Sequence, residues 1–493
     1  MEDEWTVDAN EAITVSLVHP APPGTEAVER FKPKFTYPIY GENERIFGYK
    51  GLKINLRFDA RDLRPNLSVS SSRKFTSIGE VEALDIKNTM MEFLPGVAFQ
   101  SKKDYDRAVN GLPDTWTPPG TLIKTIEKDG DTYEIWHGTL AEPATHQLMK
   151  RIQIAVLFYI EGGSFIVNLE GDDEPESALA RWSVFWVYKI NPKGGNKLNY
   201  TFQGFATTYK FWSFQPPTPP ASPGTQMVDD SWELPEEDLQ YELTHRVRIS
   251  QFLILPPFQG KGLGSMLYNT IFEIAMKTPM TKEVTVEDPN EDFDLLRDLC
   301  DIKYLRSNVP EFAQLKVNNT IPIPMKGGLL YHSTHIAPDG VSLKTNGAIV
   351  DIEQLEKLRI KNKIAPRQFW RLVEMHLMSK LPASVRPRSD PETEKPTASE
   401  SEKHAYTLWR LLLKQRLYRR NVSILGEFEI TERIIRLNET LDNVEWEYAR
   451  ILDHLEPKPA VGDTSISAIG KRRLDEDVDM DSPASKKARV SDA

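Results

Sequence analysis

The chain has 493 residues, 40% apolar and 27% charged, enough for two or three domains with cores of their own. Its formal net charge of −11 disfavours a broad nucleic-acid surface and suits a basic partner or substrate. The single cysteine, Cys300, excludes an internal disulfide and a Cys-rich zinc site; with no close histidine cluster in the sequence either, no metal is expected.

The amino terminus, Met1-Glu2-Asp3-Glu4-Trp5, is acidic and lacks an apolar signal core. No apolar run approaches the ~20 residues of a membrane span, so a place in the cytosol or nucleus is expected. Residues 1–27 read as an N-terminal arm, and 28–175 as a mixed α/β domain. Within it Phe47–Phe58 reads as a strand, because Leu52, Ile54, Leu56 and Phe58 alternate with polar residues. Ile152–Ile160 and Ser164–Leu169 read as a hairpin around the turn Glu161-Gly162-Gly163.

Residues 176–345 read as the central domain. Arg181–Ile190 and Leu198–Phe214 form an aromatic antiparallel pair, with Trp182, Val184, Trp186, Tyr188 and Ile190 on one face. The Pro-rich and acidic stretch 215–240 is an insertion between strands. Val247–Leu255 is a strand, Gly262–Met276 an amphipathic helix, Val284–Val286 a short strand, and Phe293–Cys300 the start of another helix, in which Cys300 belongs to the core. From 346 to 457 the periodicity is helical, interrupted at 383–403 by a polar, Pro-rich insert expected to be disordered. The seam Ile434, Leu437, Leu441, Val444, Tyr448 and Ile451 is expected to pack on its own domain. The tail 458–493 carries the basic clusters Lys471-Arg472-Arg473 and Lys486-Lys487-Ala488-Arg489, spaced like a bipartite nuclear import signal.

The chemistry points to Gln259-Gly260-Lys261-Gly262-Leu263-Gly264-Ser265, which joins a strand to a helix. Glycines let a backbone approach phosphates closely, and the orphan N–H groups and dipole of the helix start hold negative charge. Gln259 offers an amide and Ser265 a hydroxyl. A Walker loop fails because Gly262 follows Lys261, and a dinucleotide turn fails because Ser265 stands where its third glycine belongs. The strand residues Phe252, Leu253 and Ile254 either pair fully within the sheet or present amides to a pantetheine arm. A lysine substrate, with a pKa of about 10.4, arrives protonated, so a base is required. Glu287, at the end of the next strand, is favoured; Asp288 is the alternate.

These residues resemble the GNAT superfamily, and more closely the type B histone acetyltransferase catalytic subunits. The carrying segments are Ser250–Ser265 and Val286–Glu291, with Gly41–Glu44, Phe47–Gly51, Arg181-Trp182 and Thr208–Trp212. The resemblance implies an α/β (α+β) fold: a mixed, mostly antiparallel GNAT sheet with flanking helices, between a mixed α/β N-terminal domain and a helical C-terminal domain. It implies an acetyl-CoA-dependent enzyme acting on the N-terminal tail of newly made histone H4, with H3 alongside. Phe252–Ile254, Gln259–Ser265 and Asn290 match cofactor positions, and Glu287 the general base. Glu42, Asn43, Glu44, Trp182, Tyr209, Lys210 and Phe211 match histone-tail positions; carboxylates suit a Lys/Arg-rich peptide and aromatics its cations. Asn43 departs from the more acidic residue often expected there. A WD-repeat histone-binding subunit is the implied partner, in nucleus and cytoplasm, with no direct nucleic-acid or membrane contact. Acetylation of other proteins or small amines, or a histone-binding scaffold without turnover, are the competing readings.

Overall fold

The computed structural model describes residues 3–169, 174–193, 197–213, 243–323, 349–390 and 396–455. The insertion 215–240, the tail 458–493 and its basic clusters lie outside them.

The N-terminal part contains β1 (Thr6–Asp8), α1 (Ala9–Ala12), β2 (Ile13–Ala21), β3 (Gly24–Phe31), α2 (Tyr37–Tyr40), β4 (Arg45–Phe47), β5 (Tyr49–Lys50), β6 (Lys53–Asp59), β7 (Pro65–Ser70), β8 (Arg73–Lys74), α3 (Ile86–Met91) and α4 (Lys102–Asn110). A four-stranded sheet in the order β3-β2-β6-β7 forms its centre, with β2 parallel to β6. The first 27 residues are therefore not an arm: Ile13, Val15 and Leu17 of β2 enter the core beside Ile54 and Leu56. The strand expected over Phe47–Phe58 is broken into β4, β5 and β6. Gly48 and Gly51 cause the breaks, with φ of 101° and 60° that only glycine adopts without strain.

Next come β9 (Thr121–Lys128), β10 (Asp131–Thr139), α5 (Pro143–Ile152), α6 (Ile154–Tyr159) and α7 (Glu176–Leu179). The expected hairpin over 152–169 is wrong on both arms: the first is helical, in α5 and α6, and Ser164–Leu169 forms no strand. A run of eight apolar residues broken only by Gln153 fits a buried helix as well as a buried strand. Buried Gln153 gives the chain another route, taking the Val167 carbonyl with its side-chain amide at 2.9 Å.

The central sheet has six strands in the order β14-β13-β12-β11-β10-β9, from β11 (Trp182–Lys193), β12 (Lys197–Trp212), β13 (His245–Ile254) and β14 (Thr281–Val286). All neighbours are antiparallel except β13 and β14. Two of the six strands, β9 and β10, precede residue 175, so the expected domain boundary falls inside the sheet's own sequence. In β11, Val184 to Tyr188 are all buried, because the sheet is covered on both faces. The Tyr188 hydroxyl donates to the Arg61 carbonyl at 2.9 Å and the Phe202 N–H to the Ala60 carbonyl at 2.8 Å, tying the two sheets together. One buried apolar cluster runs from Ala9 to Leu452.

Helix α8 (Leu263–Lys277) crosses this sheet, and α9 (Glu291–Asn308) with short α10 (Pro310–Ala313) packs beside it. The C-terminal helices are α11 (Ile352–Lys361), α12 (Pro366–Ser379), α13 (Glu400–Arg420), α14 (Val422–Gly426) and α15 (Ile430–Asp453). The disorder expected over 383–403 ends early. Ser399 and Glu402 form a capping box that starts α13 at Glu400, and Val385 packs on the core. On α15 the residues Leu437, Leu441, Tyr448 and Ile451 are buried, while Ile434 stays 51% exposed.

A buried polar network fastens these helices to α9. Arg371 donates to Asp298 at 2.7 Å and to Glu447 at 2.6 Å. Arg416 and the Tyr448 hydroxyl both donate to Glu374, at 2.6 and 2.9 Å. Burial pushes the Asp301 carboxyl up to about 6 even though Arg297, Tyr268 and Gln368 face it.

Candidate active site

Strands β13 and β14 run side by side only as far as Ile249 and Val286. The Glu287 N–H then donates to the Ile249 carbonyl at 2.9 Å, and the strands part. The reason lies on the other edge of β13. Thr207 faces Gln251 and Thr208 faces Ile249, so Ser250 is an extra residue, a β-bulge. The Gln251 N–H goes to the Thr207 hydroxyl at 3.0 Å instead of a carbonyl. The bulge bends β13 away from its neighbour and leaves one backbone edge of Ser250–Ile254 without a paired strand among the described residues. That edge opens on a cleft of about 790 Å³. Phe252, Leu253 and Ile254 therefore pair with β12 on one side and face the cleft on the other.

The glycine turn closes one end of the cleft. Gly260 and Gly262 have φ of 74° and 76°, and Gly262 precedes the first residue of α8. No side chain caps the helix, so the N–H groups of its first turn lack the usual oxygen partner. A Cβ on Gly262 would stand 2.3 Å from the Lys128 ammonium, and one on Gly264 2.7 Å from Leu296. Leu263 is buried, and Ser265 lines the cleft while its hydroxyl meets Cys300, whose thiol burial pushes up to about 11. Two expectations change. The Gln259 amide turns back to donate to the Ile254 carbonyl at 2.8 Å, fixing the loop from within. The exposed Lys261 points away from the cleft lining, with its ammonium 5.5 Å from the Phe258 ring.

Glu287 stands just past β14, at the cleft's other end. The Ser250 hydroxyl, turned there by the bulge, donates to one of its oxygens, and Arg248 pairs with the other at 3.1 Å. Asp288 lines the cleft with φ of 34°, an uncommon conformation for a residue with a side chain. Asn290 also lines the cleft, but its side-chain oxygen accepts the Phe293 N–H at 2.9 Å and caps α9. Sequence reasoning missed the opposite wall: Lys32, Pro33 and Lys34 after β3, and Tyr159, Ile160 and Glu161 after α6. Glu161 adds a second carboxylate there; its Glu-Gly-Gly turn was the available signal.

The expected tail-binding residues form two groups, neither on the cleft lining. Trp182 and Tyr209 have ring centroids 4.7 Å apart, as do Tyr209 and Phe211, making an aromatic platform. The Arg181 guanidinium lies 4.5 Å over Tyr209 and donates to the Lys210 carbonyl at 3.1 and 3.0 Å. Glu42 and Asn43 are exposed in the turn after α2. Glu44 is used by the fold: its oxygens accept the Thr36 and Tyr37 N–H groups at 2.6 and 3.0 Å and the Asn10 amide at 2.8 Å. Partial burial raises the Glu44 carboxyl, but these hydrogen bonds outweigh it and hold the group below its ordinary range. No metal-binding cluster occurs among the described residues.

The turn fits the pyrophosphate of acetyl-CoA by its own features: two left-handed glycines, an uncapped helix start and an adjoining strand edge with free amides.

Known proteins resemble the chain along its whole length. A model described as "Histone acetyl transferase HAT1 N-terminus" matches residues 5–161, one described as "Acetyltransferase (GNAT) family" matches 176–292, and one described as "Fungal HAT1, C-terminal" matches 342–382. Three relatives are named histone acetyltransferase type B catalytic subunit. That of Gibberella zeae is 46% identical over 100% of both chains. That of Pyricularia oryzae is 44% identical over 100% of this chain and 99% of its own. That of Neurospora crassa is 40% identical over 99% of this chain and 98% of its own.

Proposed function

The chain belongs to the histone acetyltransferase type B catalytic subunit family, an acetyl-CoA-dependent GNAT enzyme, and from that premise we propose that it acetylates lysines in the N-terminal tail of newly synthesised histone H4, with Glu287 as general base. The observation that carries this reading is the cleft at the parting of β13 and β14, with the uncapped glycine turn at one end and Glu287 at the other.

Acetyl-CoA supplies the activated acyl group; the chain's own residues place it and handle the proton. The backbone N–H groups at the start of α8 meet negative charge, and the open edge of Ser250–Ile254 meets amides in strand fashion. Lysine ammonium must lose a proton before it attacks, and Glu287 takes it. Direct transfer suits a site whose lining has no cysteine and no histidine to support a covalent acyl-enzyme. The Trp182–Tyr209–Phe211 platform and exposed Glu42 suit a basic tail.

The catalytic-subunit designation of its relatives supports a second subunit, which we assign to a WD-repeat histone-binding protein; H3 accompanies H4, and neither nucleic acid nor membrane is a direct partner. We place the enzyme in both nucleus and cytoplasm, and replacing Lys486 and Lys487 with alanine should lower nuclear accumulation of a fluorescent fusion. The decisive assay supplies acetyl-CoA with free H4 tail peptide, nucleosomes or polyamines and follows acetylation by mass. Modification of the free tail is expected. Transfer to polyamines but not to the tail would overturn the reading.

A further inference from the structure

Arg248 stands between the aromatic platform and the proposed base. It lies on β13, opposite Tyr209 of β12 and Thr285 of β14. Its guanidinium sits 4.3 Å from the Phe211 ring centroid and pairs with Glu287 at 3.1 Å. Its Nε is buried without a hydrogen-bond partner. A planar cation held on a ring face by one side and on a carboxylate by an edge has little rotational freedom. The Ser250 hydroxyl takes the second carboxylate oxygen. Two donors on separate oxygens fix the carboxylate plane, and one lone pair on each oxygen stays open.

Charge gives this arrangement a second consequence. Asp288, Asp292 and Glu161 line the same cleft as Glu287, and acetyl-CoA brings several more negative charges. Lys32 and Lys34 are on the far wall, where Lys32 is paired with Glu11 at 2.5 Å and Lys34 lies 5.0 Å from the Phe35 ring. Like charges on the same cleft push a carboxylate outward, and a base that swings out of the cleft is beyond reach of the substrate amine. Arg248 is the cation in direct contact with Glu287.

We propose that Arg248 is the positioning residue of the acetyl-transfer site: clamped on Phe211, it orients Glu287 and holds it in the cleft when the anionic cofactor binds. This rests on the assignment of Glu287 as the base.

The test is a steady-state pH profile with H4 tail peptide at saturating acetyl-CoA, for wild type, Arg248→Gln, Arg248→Lys and Glu287→Gln. For Arg248→Gln, activity should fall across the whole pH profile, because a base that has lost its clamp is misplaced at every pH. At neutral pH kcat should fall about tenfold or more, while KM for acetyl-CoA and the melting temperature stay near wild type. Arg248→Lys restores the charge but should recover only part of kcat, because an ammonium lacks the flat stacking surface. An Arg248→Gln profile that superimposes on wild type, or a loss confined to KM, overturns the inference. If Glu287→Gln turns over like wild type, the base assignment fails instead, and the two failures are distinct.

Discussion

Exchanging Glu287 for glutamine keeps the side chain's size and its hydrogen bond from Ser250, and removes the proton acceptor together with the charge paired to Arg248. Turnover should fall by about 10²- to 10⁴-fold, with acetyl-CoA affinity by calorimetry unchanged; a parallel loss of affinity would move the residue into the binding machinery. Gly262→Ala tests the turn. A left-handed conformation costs a residue with a side chain about 1–2 kcal/mol, and the new Cβ presses on Lys128. Acetyl-CoA should bind about tenfold more weakly, and an unchanged dissociation constant would show that the turn does not set affinity. The glycine turn and the Glu287-Asp288-Pro289 string are legible in sequence because each is a local pattern. Ser250 and Arg248 are not. Their roles come from a one-residue slip in the pairing of β13 with β12, which no run of residues announces. Glu44 misleads for the opposite reason: a carboxylate in the right motif is spent on backbone N–H groups.

Among the elements, the buried charges between α12, α13 and α15 govern stability. Glu374 is 1% exposed and depends on Arg416 and Tyr448. Arg416→Met leaves that carboxylate buried without its cation and should cost about 3–5 kcal/mol in urea unfolding. Wild-type stability in that variant would mean that Glu374 is already neutral. His376 of α12 provides a pH signature. Burial and nearby Arg306 push its imidazole down to about 3, from about 6.5 in an unfolded chain. A base depressed on folding contributes stability that is complete above pH 6.5 and is lost as pH falls through 3. The melting temperature should therefore decline on acidification below pH 6.5, and less steeply in His376→Gln; equal slopes would assign the acid sensitivity to other groups. Helices α12, α13 and α15 are legible from their 3.6-residue apolar spacing. Ile152–Ile160 is not, since a nearly continuous apolar run carries no period and its packing against β10 and β13 of the central sheet is a long-range contact.

At the scale of the whole molecule, the far wall of the cleft is assembled from two segments distant in sequence, 32–34 and 159–161. Lys34 and Phe35 donate their N–H groups to the Phe158 carbonyl, both at 3.0 Å, so the two segments of the far wall are fixed to each other. The shared core predicts a single unfolding transition, seen at the same urea concentration by circular dichroism and by tryptophan fluorescence; two resolved transitions would separate the parts. The class of fold is readable from the order of elements along the chain, but the partition is not, because β10 pairs with β11 across a gap in sequence that holds α5, α6 and α7. That gap limits how the protein can be taken apart. A fragment beginning at residue 176 contains the glycine turn and Glu287, yet it lacks β10, and the whole flank of β11 from Ser183 to Ile190 would be left as a bare, aromatic-rich edge. Such an edge recruits other strands, so the excised catalytic fragment should self-associate in solution, whereas one that starts before Thr121 keeps β11 covered by β10.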